Sequence, residues 1–421
     1  MLEEKSIYIS HVQIGDELFY LSCVKEIIQP LNLFNQLSKS EILPKIYWKH
    51  RDDAVEYAAF GQLLELPSLP LIKTIEAIQG PPLNPLLFGG SSYSEGAPHW
   101  KNKFPAKRFI LPKYLIEQSK EGTFLKTFSL SDKPKEIPFK LFTNSPLKEA
   151  PLSIIKREDS PSQETWNKHV NTVLKLFKET SLQKAVLARQ TTLTLDQPLN
   201  PYLLLEFLKE TQQNCSFFSF QFDAETLFLG ATPECLYSRI ERSIFTEALA
   251  GTSLELQKKP LTDSKKDVSE FTFVTDYLNN TLKKLCDSIQ QKPRTILSTG
   301  FLKHINAHFT GKLKKAVADL AIIQALHPTP AVCGTPKMLA YKKLLELDPF
   351  DRGWYAAPIG KVTEDSAQFL VGIRSALVHI NTIDLFSGCG IVEGSDPTKE
   401  WDELENKIFS YLNFLNQYVR A

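Results

Sequence analysis

The chain has 421 residues, 43% of them apolar and 23% charged, with 49 Lys plus Arg against 48 Asp plus Glu for a formal net charge of +1. This composition excludes wholesale disorder, and near-neutrality removes any general electrostatic case for nucleic acid or an anionic membrane, so a small-molecule partner is expected. Six cysteines, Cys23, Cys215, Cys235, Cys286, Cys333 and Cys389, stand far apart without a C-x-x-C pair, which argues against a zinc ribbon or a dense disulfide framework and fits reduced thiols.

The amino terminus is charged and leads into no apolar run, and no stretch approaches the roughly 18 apolar residues of a membrane span. A soluble cytoplasmic protein with no obligatory protein partner is expected. Residues 1 to about 150 read as mixed short strands and loops, punctuated by Gly, Pro and Ser at 80–85 and 89–92. Residues 132–162, rich in Pro, Lys and Ser, read as a connector. Beyond it Trp166, Val170, Val173, Leu174 and Phe177 recur at helical spacing, and a strand-like run covers 185–195. Short strands follow at 216–222, 226–229 and 236–240, separated by turns rather than long helices, so antiparallel pairing is expected. Two long helices are predicted. One covers about 265–289, with Val268, Phe271, Val274, Leu278, Leu282 and Leu285; the other covers about 398–418, with Trp401, Leu404, Ile408 and Leu412.

Each long helix carries two carboxylates three residues apart: Asp267 with Glu270, and Glu400 with Glu403, Lys407 standing one turn further on. Residues at that spacing share a helix face. The pairs are either two solvated faces or, facing each other, an all-oxygen ligand set of the kind that suits Mg²⁺. Lys184 heads the apolar strand; buried there, its amine pKa would fall and it would serve as a general base, whereas exposed it would guard a sheet edge. Glu234 follows a strand and Pro233, which either projects one carboxyl group or makes an ordinary turn. Gly388-Cys389-Gly390 and Ala250-Gly251-Thr252 lack the spacing of nucleotide loops; they let backbone N–H groups approach a carboxylate, or they are tight turns. His327, among prolines, either polarises a ligand hydroxyl or packs in a loop.

Taken together, these segments resemble the chorismate-utilising enzymes, most closely the isochorismate synthases. The resemblance runs in order through 184–189, FLGATPECL at 228–236, TEALAGT at 246–252, KDVSE at 266–270, LHPTPAVCGTP at 326–336, DPFDRGWYAAPIG at 348–360, GIRSAL at 372–377 and 388–407. Looser matches at 47–52, 88–90 and 104–109 look like the menaquinone-type members. The resemblance implies one large α+β unit of orthogonally packed antiparallel sheets flanked by helices. Residues 1–150 would form its variable amino-terminal part and 160–421 its chorismate-binding catalytic region.

Carried over residue by residue, the resemblance implies Mg²⁺ bound by Glu270 and Glu403 directly, with Asp267 and Glu400 acting through water. Tyr355 and Arg374 would hold the enolpyruvyl carboxylate, Arg as a bidentate fork. Lys407, Gly388, Gly390, Gly251 and Thr252 would line the pocket, with His327 close to the ring. Lys184 as general base would activate water for attack at ring carbon 2, while Glu234 protonates the hydroxyl leaving carbon 4. Amine-using relatives usually lack the lysine at position 184, and covalent-lysine relatives carry Lys within the turn that here reads Ala248-Leu249-Ala250-Gly251-Thr252. Pyruvate-expelling relatives carry Thr at the position of Ala331. The expected product is therefore isochorismate, feeding menaquinone or a siderophore; salicylate synthase and a catalytically silent chorismate-binding relative are the alternatives.

Overall fold

The structure, a computed structural model, describes residues 5–94, 100, 104–134, 138–147, 151–256 and 260–418; residues 1–4, on which the reading of the amino terminus partly rests, lie outside these. Seven α-helices occur among the described residues: α1 (Leu33–Lys39), α2 (Gln163–Glu179), α3 (Pro201–Thr211), α4 (Lys265–Leu285), α5 (Asp319–Leu326), α6 (Lys337–Leu347) and α7 (Pro397–Tyr418). α2 starts where Ser162 accepts a hydrogen bond from the Thr165 amide, and it buries Trp166, Val170 and Val173. α4 is capped in the same way by Ser264. It stops at Leu285, short of the predicted end, because Cys286–Gln291 turns out as a strand and pairs with Leu302–Leu313. The apolar period alone does not reveal that takeover by a neighbouring strand.

The described strands form one antiparallel network, and the two of its arms that carry the site share the strand Lys107–Ser119. One arm runs from it through Glu56–Leu66, Lys45–Lys49, Ser216–Gln221, Thr226–Thr232, Ser375–His379 and Thr382–Ile391 to Lys184–Leu195. The other runs through Leu87–Ser91, Pro358–Val362, Ser366–Val371, Cys235–Ile240 and Ser243–Leu254 to Leu302–Leu313. Between residues 232 and 235, and again between 371 and 375, the chain crosses from one arm to the other. Those crossings set the position of the site described below.

The described residues before 148 share a core with the rest, in which Val12, Leu21, Phe88 and Phe104 pack in the same cluster as Phe220, Trp354, Phe369 and Phe386. Two readings of this region change. Its strands are long, Lys107–Ser119 and Glu17–Ile28 having 13 and 12 residues. Gly89 and Gly90 lie inside the strand Leu87–Ser91 and not in a loop: a Cβ at Gly89 would sit 2.0 Å from the Arg108 carbonyl oxygen, so the glycine permits close approach rather than a turn. The connector also carries structure. Ile154–Ser160 pairs with Lys184–Leu195, and Asn35 and Gln36 of α1 hold the carbonyls of Ser145 and Phe142 at 2.5 and 2.7 Å. All six cysteines are buried and free, and no helix among the described residues is long and apolar enough to cross a membrane.

Lys45 is buried at the start of its strand, where its ammonium donates to the Ser40 carbonyl at 3.1 Å and lies 5.4 Å above the Tyr202 ring. Burial pushes its pKa down from 10.5 to about 8. The folded state therefore binds the proton less tightly than the unfolded chain, and stability rises with pH between those values. Lys45→Met is expected to stabilise the protein by about 1–2 kcal/mol at pH 7. The gain should shrink as pH rises from 8 to 10.5, read from melting curves at several pH values. A loss of stability at pH 7 would show that the buried charge carries no net cost.

Candidate active site

A cleft opens where the two arms meet, and the crossings deliver the first two of its side chains. Glu234 stands in the crossing between Thr226–Thr232 and Cys235–Ile240; Arg374 stands in the other, with φ at 48°. Gly251 and Thr252 line the wall at a bulge in Ser243–Leu254, where Gly251 has φ at 71° and a Cβ would lie 3.0 Å from Asp267. Gly388, Gly390, Tyr355, Glu270 and Lys407 complete the lining. Ten residues singled out from sequence thus converge, Lys184 among them just beneath Gly390.

Gly388 and Gly390 sit within the strand Thr382–Ile391, so the tight-turn reading fails for them. They make room: a Cβ at Gly390 would lie 2.1 Å from Glu270 Oε1 and 2.9 Å from Lys184 Cε, and one at Gly388 would lie 2.6 Å from the Tyr355 hydroxyl. Lys184 is fully buried, which excludes the sheet-edge reading, and its Nζ lies 3.0 Å from Glu270 Oε1. That contact lacks the alignment of a hydrogen bond.

Glu234 is almost completely buried, and its pKa is pushed up to about 8. Burial is the largest cause and the Glu247 carboxylate the next; Lys184 and Lys407 pull the other way. At neutral pH Glu234 therefore carries a proton it can give. Tyr355 is buried too, its pKa raised to about 12, so its hydroxyl remains a donor. Lys407 donates at 2.7 Å to both the Gly388 carbonyl and Glu403.

On the floor α4 and α7 bring their carboxylates together, so the two solvated faces are not what forms. Glu400 is 1% exposed, paired with Lys266 and accepting from the Cys389 thiol. Burial and then the charge of Glu403 raise its pKa. Asp267 is raised by burial first, with Glu270 and Glu403 adding to the effect. For Glu403 burial works against ionisation, but the Lys407 and Lys266 ammonium groups outweigh it and hold the carboxylate charged. Carboxylate oxygen atoms contributed by the two helices are the donor type that suits a hard divalent cation such as Mg²⁺. Among the described residues, the donor atoms of Cys389, Glu400 and Glu403 all lie within 4.8 Å of one another.

His327 does not line this cleft. It lines a second cavity with Tyr341 and Met338, and its ring meets Tyr93 edge-on at 5.8 Å. The short loop after α5 turns back so that Ala331 and Val332 line the cleft and the Thr329 hydroxyl meets Glu234. The histidine in the cleft is His304, which sequence reasoning missed. Its Nδ1–H donates to the Gly251 carbonyl at 3.0 Å, so Nε2 accepts from Arg374 Nη2 at 3.1 Å. Burial, then the Arg374 charge, lowers its pKa to about 3, which keeps it neutral. A single polar residue on a buried strand leaves no motif to find. Arg352, also missed, lines the cleft but is committed to Asp348 and to the carbonyls of Val332 and Val186.

Residues 10–416 match the family model described as chorismate binding enzyme. The isochorismate synthase MenF of Haemophilus influenzae is 31% identical over 393 residues, covering 90% of this chain and 88% of that one. That of Bacillus subtilis is 30% identical over 355 residues, covering 79% and 75%. The solved menaquinone-specific isochorismate synthase of Escherichia coli superposes with a TM-score of 0.81 at 24% identity, over 99% of this chain and 96% of that one. Anthranilate synthase component I of Streptococcus pneumoniae shares the fold with a TM-score of 0.68 at 17% identity, over 85% and 92%.

Proposed function

The chain belongs to the chorismate-binding enzymes, and from that premise we propose that it isomerises chorismate to isochorismate in an Mg²⁺-dependent reaction that serves menaquinone synthesis. The observation that carries this reading is a protonated, buried Glu234 in the same cleft as a buried Lys184. Addition of water at one end of a conjugated system and loss of hydroxide from the other needs a base and an acid together. Lys184 takes the proton from the attacking water at carbon 2. Glu234 gives one to the hydroxyl leaving carbon 4. Arg374, oriented by His304, and the Tyr355 hydroxyl hold the enolpyruvyl carboxylate.

Glu270 and Glu403 would hold Mg²⁺ directly, with Asp267 and Glu400 outside them. When bound, the ion offsets the charge of the substrate's ring carboxylate and fixes its orientation. The names of the menaquinone-type relatives support the pathway assignment.

Incubating the purified protein with chorismate and Mg²⁺ and identifying the products tests this reading. Isochorismate should accumulate without matching pyruvate. Ala331 lines the cleft with only a methyl group. Ala331→Thr adds a β-branched, hydroxyl-bearing side chain that crowds the ring and changes how the enolpyruvyl group is held, so it should raise pyruvate release in a lactate dehydrogenase-coupled assay. Pyruvate released by the native protein in step with chorismate loss would replace the reading with a salicylate synthase.

A further inference from the structure

Two motifs singled out in the sequence, residues 47–52 and 246–252, hold charged residues to which the reaction assigns no part: Arg51 and Glu247. The structure joins them. Glu247, with a fully buried side chain, pairs with Arg51 at 2.5 Å across 196 positions of chain. Arg51 Nη1 donates to the Pro233 carbonyl at 2.6 Å, and Glu247 Oε1 accepts from the Cys235 amide at 2.8 Å. The residue between those two backbone groups is Glu234.

We propose that the Arg51–Glu247 ion pair is the positioning element of the proton donor, clamping the backbone on both sides of Glu234 and setting a fixed negative charge beside its carboxyl group. The crossing needs such a clamp. It runs between the two arms, where the ladder is interrupted by a register shift between Cys235 and Tyr237. Buried backbone groups there lack strand partners and are costly if left unmade. A buried ion pair meets both with charge-assisted hydrogen bonds, which are shorter and stronger than neutral ones. Glu247 is itself anchored by Asn306 Nδ2 at 3.0 Å, and Arg51 is oriented by its own amide on Ser216 Oγ at 3.0 Å. The pair therefore ties the amino-terminal region to the catalytic turn.

The second consequence is electrostatic. Glu234 faces Glu247 from Ser243–Leu254, Lys184 from its strand, Lys407 from α7 and the Thr329 hydroxyl from the loop after α5. Of these, Glu247 alone disfavours the carboxylate form, adding to burial. Facing Glu247 itself are Arg51, Asn306 and, at 3.7 Å, His308. Removing the charge of Glu247 leaves the two lysines unopposed except by burial, so Glu234 should release its proton at lower pH.

The proposal rests on the reading of Glu234 as proton donor, and the test separates the two. Infrared spectra of the native protein across pH report the C=O stretch of the protonated Glu234 carboxyl, assigned by its loss in Glu234→Gln. In Glu247→Gln, which keeps the shape and an acceptor oxygen, this band should vanish at a pH lower by at least about half a unit. The alkaline limb of kcat should move down with it, while KM for chorismate changes less than kcat. Arg51→Lys, which keeps the charge without the fork, should retain the native infrared titration better than Glu247→Gln yet lower kcat at its optimum at least about threefold through a misplaced turn. This variant also carries the test if Glu247→Gln fails to fold. An unchanged titration and pH profile in Glu247→Gln, or a native kcat in Arg51→Lys, would overturn the proposal. Normal turnover by Glu234→Gln would instead remove the proton-donor reading, while a shifted infrared band in Glu247→Gln would still support the electrostatic half of the clamp.

Discussion

Lys184→Ala and Glu234→Gln are each expected to lower kcat at least about 100-fold, the usual consequence of losing a general base or acid, with a much smaller change in KM for chorismate. Both side chains are buried, so neither can be replaced by bulk solvent of the right protonation state. The pH dependence follows from Glu234. Its pKa near 8 means the acid form is present through neutral pH and is lost above it, so kcat should fall as pH rises through about 8. The same shift makes a statement about stability. A carboxyl group whose pKa is raised on folding binds its proton more tightly in the native state, and that contribution, complete below the ordinary carboxylate pKa of 4.5, is lost as pH rises through 8. Glu234→Gln should therefore gain in melting temperature relative to the native protein as pH rises from 4.5 to 8, although it has lost activity. Near-native kcat in either variant would mean that its role has been misassigned.

The parts of this site legible in the sequence are those where chemistry and spacing coincide. Asp267 with Glu270, and Glu400 with Glu403, could be read as pairs because helical periodicity fixes which residues share a face. Whether the two faces meet was beyond periodicity: it depends on α4 and α7 packing against Ser243–Leu254 and Thr382–Ile391, strands from different arms. His304 was illegible for the same reason. Its partners Gly251 and Arg374 lie 53 and 70 positions away, and only the sheet register brings them together. His327 shows the converse error, a residue conspicuous beside prolines that the loop after α5 turns towards another cavity. Glycine was informative about position but not about purpose. In the sequence Gly89, Gly90, Gly388 and Gly390 signal a turn or a close approach, and in the fold they are strand positions where a neighbouring backbone or side chain leaves no space for a Cβ. Arg51 and Glu247 belonged to recognised segments, yet their mutual contact spans the chain.

Metal removal is expected to abolish turnover, and added Mg²⁺ to restore it. The four carboxylates differ in how ready they are to receive a cation. Glu403 is held ionised by Lys407 and Lys266, and the Lys407 that donates to it lines the cleft and also donates to the Gly388 carbonyl. Glu400 is already engaged by Lys266 and the Cys389 thiol, and burial with the neighbouring Glu403 charge disfavours its ionised form. Glu403→Gln should therefore reproduce chelation, at a loss of at least about 100-fold in kcat/KM, whereas Glu400→Gln should cost less. A binding readout separates loss of the ion from loss of chemistry. A ligand that binds the native state alone raises the melting temperature with its concentration, so Mg²⁺ should stabilise the native protein and Glu400→Gln but not Glu403→Gln. Full activity in rigorously metal-free buffer would remove the metal from the mechanism. Equal Mg²⁺ stabilisation of Glu403→Gln and the native protein would leave an ion bound elsewhere, and the meeting of the two helix-borne pairs would then rest on the lysines that pair with them, Lys266 with Glu400 and Lys407 with Glu403.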